Sequence, residues 1–154
     1  IELEAISRAL AGFQGVKRRM EILASHEDYV IYDDFAHHPT EIFKTLSSLR
    51  EKIGNDQIIA VIEPRSRTMQ SGLHDKEMAK ALSPADSVIW YEGQDVKKSM
   101  SAELKKAKAE VYFAANISEI IQITRQIKTT KSNIVIMSNG DFSGLRELIK
   151  KELD

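Results

Sequence analysis

"YDDFAHHPTEI", residues 32–42, packs two aspartates, two histidines, a proline and a threonine between an apolar run and a helical pattern. Before it, "RRMEILAS" (18–25) and "DYVIYDD" (28–34) alternate or run apolar around "HED" (26–28), which predicts two strands joined by a tight turn. After it, Ile42, Phe43, Leu46, Leu49 and Ile53 recur at helical spacing, so a helix runs from Pro39 to about Gly54. His38 then reads as the N-cap, Pro39 as the first helical residue and Glu41 as the third, a capping arrangement. The stretch is a strand-to-helix turn, and the same unit recurs along the chain.

"IIAVIE" (58–63) is a continuous apolar strand of the kind covered on both faces of a sheet. "SVIWYE", "EVYFAA" and "NIVIMS" are further short apolar runs, and "DKEMAKALS", "SEIIQITRQIK" and "FSGLRELIKKEL" carry helical patterns between or after them. "SAELKKAKA" (101–109) is helix-compatible and solvated. Residues 2–11 give a short helix with Leu3, Ile6 and Leu10 on one face, ended by Gly12 and Gly15. Strands alternating with helices predict an α/β fold, a Rossmann-like, mostly parallel sheet with helices on both faces.

The 154 residues fit one ordinary domain, and 42% apolar with 29% charged residues is the balance of a soluble globular protein. A formal net charge of −1 gives no field that draws in nucleic acid or an anionic membrane, so neither is expected as a partner. The absence of cysteine removes disulfides, thiolate nucleophiles and Cys-type zinc sites and suits a reducing compartment. No apolar run approaches the roughly 20 residues of a membrane span, and a cytoplasmic location is expected. The chain opens on Ile1 within what reads as the end of a helix, which points to a piece of a longer chain.

In parallel sheets ligands gather at the carboxyl ends of the strands. Three polar loops qualify: "DDFAHHPT" (33–40), "EPRSRTMQSG" (63–72) and "SNGDFSG" (138–144). In the first, a cap needs one acceptor, yet Asp33, Asp34, His37 and His38 crowd one turn. A helix N-terminus with free N–H groups suits a phosphate or carboxylate, and an acid at a strand end suits a ribose hydroxyl pair. Zinc is the other reading, although adjacent histidines do not share a face as an i, i+4 pair does, and no metal ligand is assigned. Arg65 and Arg67 could hold carboxylates bidentately, and Gly140 and Gly144 would let backbone approach a ligand closely. The chain has no G-x-x-x-x-G-K-[ST] phosphate loop, G-x-G-x-x-G fingerprint or G-x-S-x-G elbow. A domain with arginines and anion-friendly turns but no phosphate loop is a poor catalyst of nucleotide chemistry by itself, though it could be half of one.

Taken together and in order, "GFQGVKRRMEI" (12–22), "YDDFAHHPTEI" (32–42), "EPRSRTM" (63–69) and "MSNGDFSGL" (137–145) resemble the carboxyl-terminal domain of the Mur ligases, over essentially the whole chain. Phe35-Ala36 before His37 and "EPRS" at 63–66 favour one branch of that family. It joins L-alanyl-γ-D-glutamyl-meso-diaminopimelate to UDP-N-acetylmuramate in peptidoglycan recycling; the alternatives are the branch that adds L-alanine and a non-enzymatic anion-binding module.

The resemblance implies a three-domain, ATP-dependent amide-forming ligase of the bacterial cell wall. The amino-terminal domain holds the UDP-sugar, the central domain holds the phosphate loop and most of the ATP and Mg2+ contacts, and this domain brings the peptide and closes over ATP. Residues 1–18 would end the central domain and form the hinge, and 19–154 the closing domain, inactive alone. Carried over by motif, Arg19 is the hinge arginine that reaches the nucleotide, and Asp34 takes the ribose hydroxyls. His37 and His38 face the phosphates and the reacting centre. Arg65 and Arg67 grip peptide carboxylates, and Asn139 and Gly140 fall in the last substrate loop. The sequence departs from the pattern at Arg67, where asparagine is expected, at Gln70, where lysine or arginine is, and at Asp141 and Ser143, where glycines are.

Overall fold

The structure is a computed structural model that describes residues 2, 4–5, 16–65, 75–93 and 102–153, the side chains of 75 and 76 excepted. Of the expected helix at 2–11 only residues 2, 4 and 5 are described, 4 and 5 as helix, and the basic loop carrying Arg67 and Gln70 lies outside the described residues. Among those described, six strands form one sheet: β1 (Glu21–Ser25), β2 (Tyr29–Asp34), β3 (Gln57–Ile62), β4 (Ser87–Tyr91), β5 (Glu110–Ala114) and β6 (Ser132–Met137). Their order is β1-β2-β6-β3-β4-β5. Only β1 is antiparallel to its neighbour, so the sheet is mostly parallel, as the alternation of strands and helices predicts.

Period 2 divides the core. Tyr32, Ile58, Ala60, Ile62, Val88, Trp90, Val135 and Met137 face helices α1 (Pro39–Ile53) and α2 (Asp75–Ala81), where Ile42, Leu46, Leu49 and Met78 are buried. Ile31, Ile59, Val61, Ile89, Ile134 and Ile136 face α3 (Ile117–Ile127) and α4 (Leu145–Leu153), packing on Ile120, Ile121, Leu145 and Ile149. Every residue of β6 is buried, which is why it reads as an unbroken apolar run.

Two expected elements come out shorter. Residues 102–104 are helical and 105–109 are turn and bend. The helix expected from Phe142 starts at Leu145, because Phe142, Ser143 and Gly144 take φ of 52°, 51° and 75° and form a 3-10 turn instead. Phe142 is held there by complete burial against the α3/α4 face.

The register sets the site. Asp34 pairs with Met137, and Met137 with Ile62, so β2, β6 and β3 end level with one another. β2 leads into α1 on one face while β6 leads into α4 on the other, so neighbouring strand ends open in opposite directions. That divergence is the topological switch point of an open α/β sheet, where a crevice forms.

Candidate active site

The three level strand ends bring the loops after β2, β3 and β6 side by side. The Ser138 N–H donates to the Asp34 carbonyl at 3.2 Å and the Glu63 N–H to the Met137 carbonyl at 3.0 Å, extending the ladder one step past the strands. The two acids at the end of β2 point to opposite faces. Asp34, on the α1 side, is 2% exposed. Its Oδ2 accepts the Met20 N–H at 2.9 Å, and its Oδ1 accepts the Ala36 N–H at 2.9 Å and the Thr45 hydroxyl at 3.4 Å. A carboxylate with about four lone-pair sites keeps capacity beyond these donors.

Asp33, 1% exposed, meets two arginines on the other face. Arg18 Nε stands 3.3 Å from Oδ2 and Arg146 Nε, from α4, 2.8 Å from Oδ1. The Arg146 contact is charge on charge, since its N–H does not point along a hydrogen bond to that oxygen.

At the start of α1, His38 is the N-cap with extended backbone, and its Nδ1 accepts the Thr40 N–H at 3.4 Å. Pro39 is the first helical residue, where its missing N–H costs nothing. The Glu41 carboxylate reaches back to the N–H of His37, at 3.4 Å, one residue beyond the cap. His37 Nδ1 lies 3.0 Å from the Phe35 carbonyl. A carbonyl only accepts, so that contact places a proton on Nδ1. Both histidines are half-buried on the same turn.

Arg19 is exposed and stands between Arg18 and Met20, which have φ of 57° and 50°. Its guanidinium carbon is 6.0 Å from the centroid of Phe35 and that of Arg18 5.1 Å, so Phe35 carries both arginines. Arg65 is exposed after β3, its N–H donating to the Glu63 carbonyl at 2.9 Å. Its guanidinium rests on Gly140, where an added β-carbon would meet Nη1 at 2.1 Å. Beside it, the buried Asn139 Oδ1 has no hydrogen-bond partner. Glu63, buried at the end of β3, accepts from the Ser138 hydroxyl, which in turn accepts the Gly140 N–H at 2.9 Å.

The structure therefore brings Arg19, Asp34, His37, His38, Arg65, Asn139 and Gly140 to one edge of the sheet. Arg67 lies outside the described residues. Sequence reading missed the roles of Arg18, Glu63, Ser138 and Arg146. Among the described residues no group of three His, Cys, Asp or Glu converges as metal ligands, and no helix is long and apolar enough to cross a membrane.

Residues 18–140 match the family model described as "Mur ligase, glutamate ligase domain". The chain belongs to the Mur ligase family. This Mur ligase domain is 34% identical, over 99% of its length, to the UDP-N-acetylmuramate–L-alanyl-γ-D-glutamyl-meso-2,6-diaminoheptandioate ligase of Haemophilus influenzae, of which it covers 34%. It is 46% identical over 92% of its length to the UDP-N-acetylmuramate–L-alanine ligase of Streptococcus agalactiae, of which it covers 32%. The crystal structure of a murein peptide ligase from Psychrobacter arcticus superposes with a TM-score of 0.81 at 34% identity, across 95% of this chain and 32% of that one. The Mur ligase domain thus spans about a third of the length of these relatives.

Proposed function

We propose that this is the closing, carboxyl-terminal domain of a cytoplasmic ATP-dependent ligase that joins L-alanyl-γ-D-glutamyl-meso-diaminopimelate to UDP-N-acetylmuramate in peptidoglycan recycling. The observation that carries the reading is Arg65 laid over Gly140, a cation presented at the crevice between the β3 and β6 loops. The likeness over 99% of this chain to about a third of a tripeptide ligase supports it.

In the proposed reaction ATP phosphorylates the muramate carboxylate, giving an acyl phosphate and ADP. The peptide α-amine attacks the carbonyl carbon, the C–O bond to phosphate breaks, and the amine proton leaves as the amide forms. Such an intermediate hydrolyses unless the amine is held close and water excluded, which is work for a closing domain. Arg65, with Arg67, holds peptide carboxylates, and Asn139 and Gly140 line the same side. Arg19 and the remaining lone pairs of Asp34 face the nucleotide ribose, and His37 and His38 face the phosphates. In this reading Mg2+ and the phosphate loop are assigned to the central domain of the full-length ligase.

The second reading, an L-alanine-adding ligase, is favoured by the 46% identity to the Streptococcus agalactiae enzyme. The test is ATP-dependent ligation by the full-length protein offered tripeptide and L-alanine together, with products separated by mass. Tripeptide product is expected. L-Alanine product alone selects the second reading, and no product with either leaves only an anion-binding module.

A further inference from the structure

A residue just before β1 and the last substrate loop are joined by a clasp, centred on the buried Asp33, with no part in the ligation chemistry above. Asp33 sits between Arg18, before β1, and Arg146, on the first turn of α4. Both guanidinium groups reach past it to one loop. Arg18 Nη2 donates to the carbonyls of Ser138 and, at 2.9 Å, Gly140. Arg146 Nη1 donates to the carbonyls of Gly140 at 3.1 Å and Asp141 at 2.7 Å. The Gly140 carbonyl is thus held by two arginines that share one aspartate, and the α-carbon of the same residue supports Arg65.

Resting on the ligase reading, we propose that Arg18, Asp33 and Arg146 are positioning residues that hold the 138–141 loop, and through Gly140 the guanidinium of Arg65, in place. Arg18 is fixed to the body of the domain, to β1 and to the turn after β2. Its N–H donates to the Glu21 carboxylate at 2.8 Å, its carbonyl accepts the Phe35 N–H at 2.8 Å, and its backbone is left-handed at φ 57°. The guanidinium is therefore held in place relative to the sheet. The other end is also determined, because the Ser138 carbonyl is buried and that of Gly140 half-buried, and carbonyls so placed stay unpaired at a cost when stripped of their donors. Four charge-assisted bonds to three neighbouring carbonyls hold the loop in one orientation. The clasp thus sets where the peptide-side arginine rests.

The test uses the full-length protein with Arg18→Gln, Arg146→Gln and the double variant, and reads amide hydrogen exchange together with steady-state kinetics. Each single variant is expected to speed exchange across 138–141 and raise the tripeptide KM, both by about tenfold, the worth of one charge-assisted hydrogen bond. Exchange in α1 and the ATP KM should stay within about twofold. The double variant should be no worse than about either single one, since both act through one clasp. Unchanged exchange at 138–141 in Arg18→Gln overturns the proposal, and so does faster exchange with an unmoved amine-substrate KM or with an equal rise in both KM values. A parent protein that uses L-alanine instead sinks the tripeptide reading and moves the kinetic arm to L-alanine. One that ligates neither leaves the exchange arm, which needs no substrate, to decide.

Discussion

The guanidinium of Arg65 lies across the α-carbon of Gly140, so that a β-carbon there would stand 2.1 Å from Nη1 and 2.9 Å from Cδ and Cζ. All three contacts are to a flexible, exposed side chain rather than to backbone. Gly140→Ala should therefore displace Arg65 and leave the fold in place. The expected result in the full-length enzyme is a peptide KM raised about tenfold, the loss of one charge-assisted contact, with Tm nearly unchanged. A large fall in Tm with an unaltered KM would show that Gly140 serves packing only.

Ser143 stands where the family pattern expects glycine, and its φ of 51° and ψ of 36° explain the expectation. A left-handed non-glycine residue costs roughly 1–2 kcal/mol, from which the extra unfolded-state freedom of glycine takes back part. Ser143→Gly should stabilise the domain by about 0.5–1 kcal/mol. Gly144, at φ 75°, has open space around a built β-carbon, so Gly144→Ala tests strain without a clash and should destabilise by about 1 kcal/mol. Urea midpoints at constant m-value check both.

How much of this was legible in the sequence follows from the range of each interaction. The β2 turn, the α1 cap at His38 and the apolar strands β3 and β6 are local signals, and the structure has them where the residues predict. The Arg18–Asp33–Arg146 clasp is not local. It exists because β6 inserts between β2 and β3, and no periodicity reports strand order. One part could have been found. Adjacent acids at a strand end must face opposite sides of the sheet, so Asp33 and Asp34 could not serve a single site. The 3-10 turn at 142–144 was hidden because the Phe142 and Leu145 spacing also fits a helix.

Asp34 has structural donors, Met20 and Ala36, and a proposed ribose role. Asp34→Asn keeps the shape and removes the charge. An ATP KM raised about tenfold with the peptide KM within about twofold is expected in the full-length enzyme. Loss of stability with an unchanged ATP KM would reduce Asp34 to a brace for those two backbone N–H groups.

Burial pushes the Tyr32 phenol above its usual range, while its hydroxyl donates to Asn133 Oδ1 at 3.3 Å. The folded state then holds the phenolic proton more tightly than the unfolded chain. The associated stability is fully present below the unfolded value of about 10 and is lost as pH rises towards the folded one. Tyr32→Phe should leave the neutral-pH behaviour apart from a constant offset and flatten the decline above about pH 10. An identical alkaline slope in both proteins would remove Tyr32 as its source.

The most direct measurement is the pair of KM values, for tripeptide and for ATP, in full-length Arg65→Ala. A closing domain that grips the peptide predicts a tripeptide KM raised about tenfold or more, with the ATP KM within about twofold. A rise confined to ATP, or no rise in either, would contradict the assignment of this crevice to the peptide.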